Sequence, residues 1–174
     1  MREMPDRVFV DSGEVMVPSA PCLLHAGAIG SCVVVTAHDR VRSIGGMAHV
    51  MLPGEAADPA DPTRTRYAAD ALDQLMGILA GMGANPSGLD VCLVGGADVI
   101  GRGDQGPGRA TTASLLGLLA DRGIVPVRTD LGGIVRRTCT LDSSTGAVLR
   151  ALGDSRETVL MPATAEREGG TPDG

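Results

Sequence analysis

Two residues in this sequence are of types that could carry out nucleophilic chemistry together: Cys32, at the mouth of the apolar run Val33-Val34-Val35, and His49, within Ala48-His49-Val50-Met51. A cysteine attacks as its thiolate, and an imidazole within reach can take the thiol proton, so such a pair suits covalent acyl transfer. The polar segment His38-Asp39-Arg40-Val41-Arg42-Ser43 between them reads as the turn of a β-hairpin. Facing residues of an antiparallel pair have a constant index sum, so Cys32 faces His49 if the turn is centred between Arg40 and Val41. A bulge at Gly45-Gly46 would send the histidine to the other face. Gly30 and Ser31 precede the cysteine, where a glycine lets backbone approach a substrate and the amides from Gly30 to Cys32 could meet a developing oxyanion.

Packing is the competing explanation, since buried cysteines, and histidines flanked by Ala, Val and Met, commonly fill cores. Cys22, Cys92 and Cys139 read as such small apolar fillers. His25 and His38 read as a loop and a turn residue, with His25 an alternative partner for the thiol. Asp98 reads as a loop carboxylate at the edge of the site. Gly101-Arg102-Gly103-Asp104-Gln105-Gly106 spells GxGxxG, but Ala97-Asp98-Val99-Ile100 separates it from the preceding strand and Pro107 follows, which is the wrong context for a dinucleotide fingerprint. A surface glycine loop is the favoured reading, with a nucleotide site third among the functional ones.

These residues need a frame. Residues 14–17 read as a short strand, 32–36 as a buried β-branched strand and 89–94 as another. Ala68, Leu72, Leu75, Met76, Leu79 and Met82 recur at helical spacing, with Thr65 as cap and Gly83 as stop. A second helix is expected over residues 110–121. Residues 124–127, 134–141 and 148–152 read as three further strands, the last two joined by a turn at Thr145-Gly146. The Pro- and Asp-rich stretch 53–65 is a loop placed to flank or gate the site. The expectation is an α+β fold, a layered α/β sandwich of mixed, largely antiparallel sheets with two main helices outside. One domain is expected over residues 14–160, with a loose N-terminal arm over 1–13 and a disordered tail over 161–174.

Composition narrows the class. The chain has 174 residues, 43% hydrophobic, with a formal net charge of -6, far from the signature of disorder. Its aromatic residues are Phe9 and Tyr67 alone, so stacking platforms for single-stranded nucleic acid are lacking, and the acidic balance argues against phosphate-backbone binding. The four cysteines show no CxxC spacing, the N-terminus lacks a secretory pattern, and no apolar run is long enough to span a bilayer. A soluble, intracellular protein with free thiols follows, with no cofactor and no metal site expected.

Gly30-Ser31-Cys32, His49-Val50-Met51-Leu52-Pro53, Gly95-Gly96-Ala97, Leu131-Gly132-Gly133, and Asp142 with Thr145-Gly146 together resemble the CheD family of chemoreceptor glutamine deamidases, in order over residues 14–152. The resemblance implies a cytoplasmic amidohydrolase, a protein-glutamine glutaminase of chemotaxis signal transduction. Such an enzyme converts glutamine side-chain amides on receptor cytoplasmic helices to glutamate and releases ammonia. Cys32 would be the nucleophile and His49 its partner, with a CheC-type phosphatase as a possible binding partner. Two positions depart from the family pattern. Ala26 stands where a threonine is usual, six residues before the cysteine, so that Gly27 carbonyl or Ser31 hydroxyl would have to orient the histidine. Pro107-Gly108-Arg109-Ala110-Thr111 stands for the family's Ile-Gly-x-Arg-Asn. These departures raise the alternative of a weakly active or inactive adaptor that docks to receptors or to the phosphatase.

Overall fold

A computed structural model describes residues 6–168 of the chain. Two five-stranded sheets and three helices form three layers, the α+β sandwich anticipated. The first sheet holds β1 (Arg7–Phe9), β3 (Leu23–Ile29), β8 (Arg137–Asp142), β9 (Val148–Leu152) and β10 (Thr158–Met161), in the order β1-β3-β8-β9-β10. The second holds β2 (Val15–Met16), β4 (Val33–Asp39), β5 (Ile44–Val50), β6 (Leu89–Gly95) and β7 (Arg128–Leu131), in the order β2-β5-β4-β6-β7. Among the strands of the described residues, β1 with β3 and β6 with β7 pair in parallel and the other pairs are antiparallel.

β4 is the middle strand of the second sheet and is buried along its whole length, which its run of valines permits. Side-chain alternation sorts its neighbours into two cores. Val33, Val35 and Ala37, with Ala48 and Val50 of β5, pack under the helices α1 (Ala68–Gly81) and α2 (Pro107–Asp121). Val34, Met47, Cys92 and Val94 face the first sheet, against Leu24, Ala26, Cys139 and Leu141. On α1, Leu72, Leu75 and Leu79 are fully buried, each contributing about 1.5–3 kcal/mol relative to exposure.

Several boundaries differ from the sequence reading for identifiable reasons. The strand expected over residues 124–127 forms instead at β7, where the crossover through α2 returns the chain parallel to β6 and pairs Cys92 with Arg128. Gly132 and Gly133, both with positive φ, turn the chain before β8, so Ile134 and Val135 lie outside the strand. α2 starts at Pro107, whose missing N–H costs nothing at a first helical position. Thr65 does not cap α1; its hydroxyl donates to the Gly13 carbonyl at 2.7 Å. β10, absent from the sequence reading, extends the first sheet beside β9.

The N-terminal segment read as a loose arm carries β1, and Val10 after it is buried. From there the chain crosses to the second sheet: Val10 N donates to His25 O, Gly13 N to His49 O, and His49 N to Glu14 O. At the other end, part of the segment expected to be disordered forms Met161 of β10 and α3 (Thr164–Glu168), where Arg167 pairs with Asp90 at 2.9 Å. Residues 169–174 lie outside the described residues.

Candidate active site

The hairpin of β4 and β5 positions the thiol and the imidazole. Its ladder runs without a break from Asp39↔Ile44 to Val33↔Val50, so the bulge considered at Gly45-Gly46 does not occur. His49 lies opposite Val34, not Cys32, and the turn centres one residue later than the symmetric count assumed. The displacement is an even number of positions. Cys32, just before β4, therefore keeps the face of Val34 and His49 and becomes a diagonal neighbour of the histidine, a separation of about 7–8 Å between backbones that side chains can close. Cys32 packs at the margin of the inter-sheet core.

The loop carrying the thiol is held from β6. Gly96 N donates to Cys32 O at 2.8 Å, and Ala97 N to Gly30 O at 2.9 Å. Gly95 has φ +128°, and any Cβ there would collide with the Cys32 carbonyl, so glycine is required. The Gly95-Gly96 pair thus sets the backbone of the loop that carries Cys32.

His49 is buried, and its two ring nitrogens have different surroundings. Nδ1 lies 3.0 Å from the Val10 carbonyl, an acceptor only, so Nδ1 carries the proton and donates it. Nε2 is buried and has no hydrogen-bond partner among the described residues. A neutral ring with Nδ1 protonated leaves the Nε2 lone pair unengaged. Burial pulls the His49 pKa below 6.5, outweighing the Val10 carbonyl and the charges of Asp11 and Glu14, which pull it up.

Cys32 is half-buried, and its Sγ lies 4.0 Å from the Ser12 hydroxyl. Burial raises the thiol above its ordinary value, while the Ser12 hydroxyl and the residue's own backbone N–H oppose the shift. Burial thus disfavours the charged form of both groups, the thiolate and the imidazolium. The other cysteines sit in the inter-sheet core as free thiols: burial pushes Cys92 up to about 11 and Cys139 further still. Cys22 is raised by burial too, with Ser143 pulling the other way.

Gly30 and Ser31 lie in the loop before β4 as expected, but neither orients the histidine; nor does Gly27. That bond comes from Val10. Ala26 is a fully buried filler between the sheets. His25 belongs to β3, not a loop; its neighbour Ala26 points into the core, and His25 points the other way, with Nδ1 2.8 Å from the Thr140 hydroxyl, which donates to Glu157. It is no partner for Cys32. His38 is a buried strand residue near the far end of β4, 3.3 Å from the Ser144 carbonyl. Thr111, at the family's asparagine position, is buried and donates to Pro107 O at 3.0 Å.

Asp98 organises the glycine loop. Its carboxylate accepts from Arg102 N at 2.8 Å and Gly103 N at 2.5 Å, occupying amides that a bound phosphate would need. Pro62, Thr63 and Thr65 of the 53–65 loop join Ser12, Gly13 and Met51 around a cavity of about 490 Å³ whose lining includes neither Cys32 nor His49. Among the described residues no cluster of three His, Cys, Asp or Glu side chains is placed to hold a metal ion, and no helix is long and apolar enough to cross a membrane.

The residues missed by sequence reasoning are Val10 and Ser12. A backbone carbonyl 39 positions from its histidine leaves no side-chain signature. Ser12 is 20 positions from Cys32, and only the path of the segment across the sheet ends brings it near.

Fold and site together describe an α+β sandwich protein with a half-buried thiol and a buried imidazole on one face of its central hairpin. The motifs around Cys32 and His49 sit at one end of its central hairpin, as the resemblance requires. The chain belongs to the CheD family: the family profile, described as CheD chemotactic sensory transduction, matches residues 51–151. It is 35% identical over 160 residues, 92% of this chain and 80% of the relative, to a protein of Chlorobium luteolum named probable chemoreceptor glutamine deamidase CheD. Proteins of the same name from Moorella thermoacetica and Methanococcus maripaludis are 32% and 30% identical, covering 86% of this chain in each case and 93% and 97% of the relatives.

Proposed function

We propose that this chain hydrolyses glutamine side-chain amides on chemoreceptors to glutamate, with Cys32 as nucleophile and His49 as general base and acid. The observation that carries the reading is the asymmetry of His49, one nitrogen tied to Val10 and the other buried and open on the face it shares with Cys32. Nε2 takes the thiol proton as Sγ bonds to the amide carbon, and the carbonyl oxygen gains the negative charge. The Cys32 backbone N–H, which already lies against Sγ, and the amides of Gly30 and Ser31 form the environment for that oxyanion.

Collapse of the adduct breaks the carbon–nitrogen bond, and His49 passes its proton to the nitrogen, which leaves as ammonia. A thioester remains. His49 then draws a proton from water as its oxygen bonds to the acyl carbon; the carbon–sulfur bond breaks and the thiolate recovers its proton. Because burial raises the Cys32 pKa, the proposal has deprotonation by His49 accompany attack.

The adaptor alternative rested largely on Ala26. A carbonyl acceptor at Nδ1 performs the orienting task assigned to the family threonine, which removes its main ground. Receptor cytoplasmic helices as substrate place the activity in the cytoplasm, and the family resemblance extends the reading to a CheC-type phosphatase as partner. Hydroxylamine tests the thioester: added during turnover, it should divert part of the product to hydroxamate at the same receptor positions. Glutamate formation with no hydroxamate at any hydroxylamine concentration would argue against a covalent intermediate.

A further inference from the structure

The four residues 95–98, at the end of β6, are bonded to the Cys32 loop and also to a second turn. The inner two hold the loop, Gly96 N donating to Cys32 O and Ala97 N to Gly30 O. The outer two hold the turn: Gly95 O accepts from Gly132 N at 2.9 Å, and Asp98 N donates to Gly133 O at 2.8 Å. On the loop side there is no room for play, since the Gly95 backbone packs directly against the Cys32 carbonyl. A displacement of the Gly132-Gly133 turn is therefore carried to the Cys32 backbone through peptide groups alone.

That turn has little rigidity of its own. Gly132 and Gly133 have φ of +77° and +72°, and a Cβ on Gly132 would meet nothing within 4 Å. Two consecutive glycines have many other conformations open to them, so this one persists only if contacts from outside the turn fix it.

Arg137, on β8, supplies them. Its side chain is only 6% exposed, and it donates to Gly132 O at 2.7 Å, to Val135 O at 3.1 Å and to Asp130 at 2.9 Å. One guanidinium thus ties the residue before the turn, the turn itself and the residue after it. Asp130 belongs to the second sheet and is also paired at 2.6 Å with Arg150, so two arginines of the first sheet grip it. The shortest of the Arg137 contacts is to the carbonyl and not to the carboxylate. A hydrogen bond from a charged donor is about twice as strong as a neutral one, and a planar fork reaches carbonyl and carboxylate together in a way the point charge of a lysine does not match.

We propose that Arg137 is a positioning residue for Cys32, fixing the backbone of the Cys32 loop through the Gly132-Gly133 turn and residues 95–98. Three hydrogen bonds make the connection: Arg137 to Gly132 O, Gly132 N to Gly95 O, and Gly96 N to Cys32 O. The consequence for turnover rests on the deamidase reading above, whereas the consequence for the thiol does not. A change at Arg137 alters where Sγ stands relative to His49 and leaves substrate binding alone.

The test measures deamidation of purified receptor, and the pH profile of Cys32 alkylation by iodoacetamide read by peptide mass spectrometry, for wild type, Arg137→Lys, Gly132→Ala and Leu79→Ala. Gly132→Ala strains the turn without unpairing a buried charge, so it decides alone if Arg137→Lys does not fold. Leu79→Ala opens a cavity in the core under the helices and controls for lost stability. At a temperature where the compared proteins are folded, Arg137→Lys and Gly132→Ala are expected to lower kcat at least tenfold with KM unchanged, since small misplacements of a reacting group have effects of about 10²-fold. Both should also move the alkylation midpoint, which burial holds high, down toward that of a solvated thiol. Leu79→Ala should change neither reading. Profiles and kcat values for the two turn variants that match those of Leu79→Ala overturn the positioning role and leave the deamidase reading intact. A wild type inactive on receptor overturns the deamidase reading, and the alkylation profiles then decide the positioning role by themselves.

Discussion

At His49 the choice of tautomer decides what the site can do. An imidazole whose Nδ1 donates to a backbone carbonyl has one orientation and one free lone pair, and Val10 achieves this without a side chain. Ser12 has a complementary role at the thiol, opposing the upward pull of burial on Cys32. Replacing Ser12 by Ala should move the pH profile of Cys32 alkylation further upward and slow receptor deamidation by about two- to tenfold, the value of one hydrogen bond. An unmoved profile contradicts the assigned contact. Cys32 and His49 were legible in the sequence because their types and flanking motifs carry chemistry. Val10 and Ser12 were not, because a carbonyl looks the same at every residue and a lone serine in a polar stretch looks like any turn.

Among the elements, the hairpin and the N-terminal crossing divide the work. β4 and β5 fix which face the two residues share, and the parity of the register matters more than the exact opposition: an error of two positions in the count still left Cys32 and His49 on one face. The valine run made β4 readable. β7 was misread because a parallel partner is chosen by the crossover and not by local pattern. The crossing from β1 to β2 supplies both Val10 and Ser12, so deleting residues 1–13 should lower deamidation by about 10²-fold or more, since small misplacements of a catalytic group have effects of that order. Deleting residues 1–5 alone should leave the rate near that of the full chain. Equal rates for the two deletions, measured on folded protein of matched thermal stability, would contradict the role given to this segment.

For the molecule as a whole, burial holds His25, His38 and His49 below their ordinary value of 6.5. The unfolded chain takes up protons at these positions as pH falls through about 6.5, whereas the folded chain resists. More protons bound in the unfolded state means that stability rises with pH across this window and falls on acidification toward the depressed folded values. Tm should therefore drop between pH 7.5 and pH 5.5. Asp39 and Asp142 act only further down: burial works against their charge, but backbone N–H donors at Asp39, and the Ser144 hydroxyl with backbone N–H donors at Asp142, outweigh it and hold both below 3.8. A Tm that is flat or rises toward pH 5.5 would show the histidines to be solvated in the folded state. The layered architecture was readable from its apolar patterns, while the meeting of both sheets' ends around one site depends on a strand order that no local pattern encodes.

The pairing of Cys32 with His49 stands or falls on one comparison, site-resolved mass spectrometry of purified receptor after incubation with wild type or with Cys32→Ala. The wild type is expected to convert specific receptor glutamines to glutamate with release of ammonia, and the variant to leave those positions as glutamine. Undiminished conversion by Cys32→Ala would contradict the account.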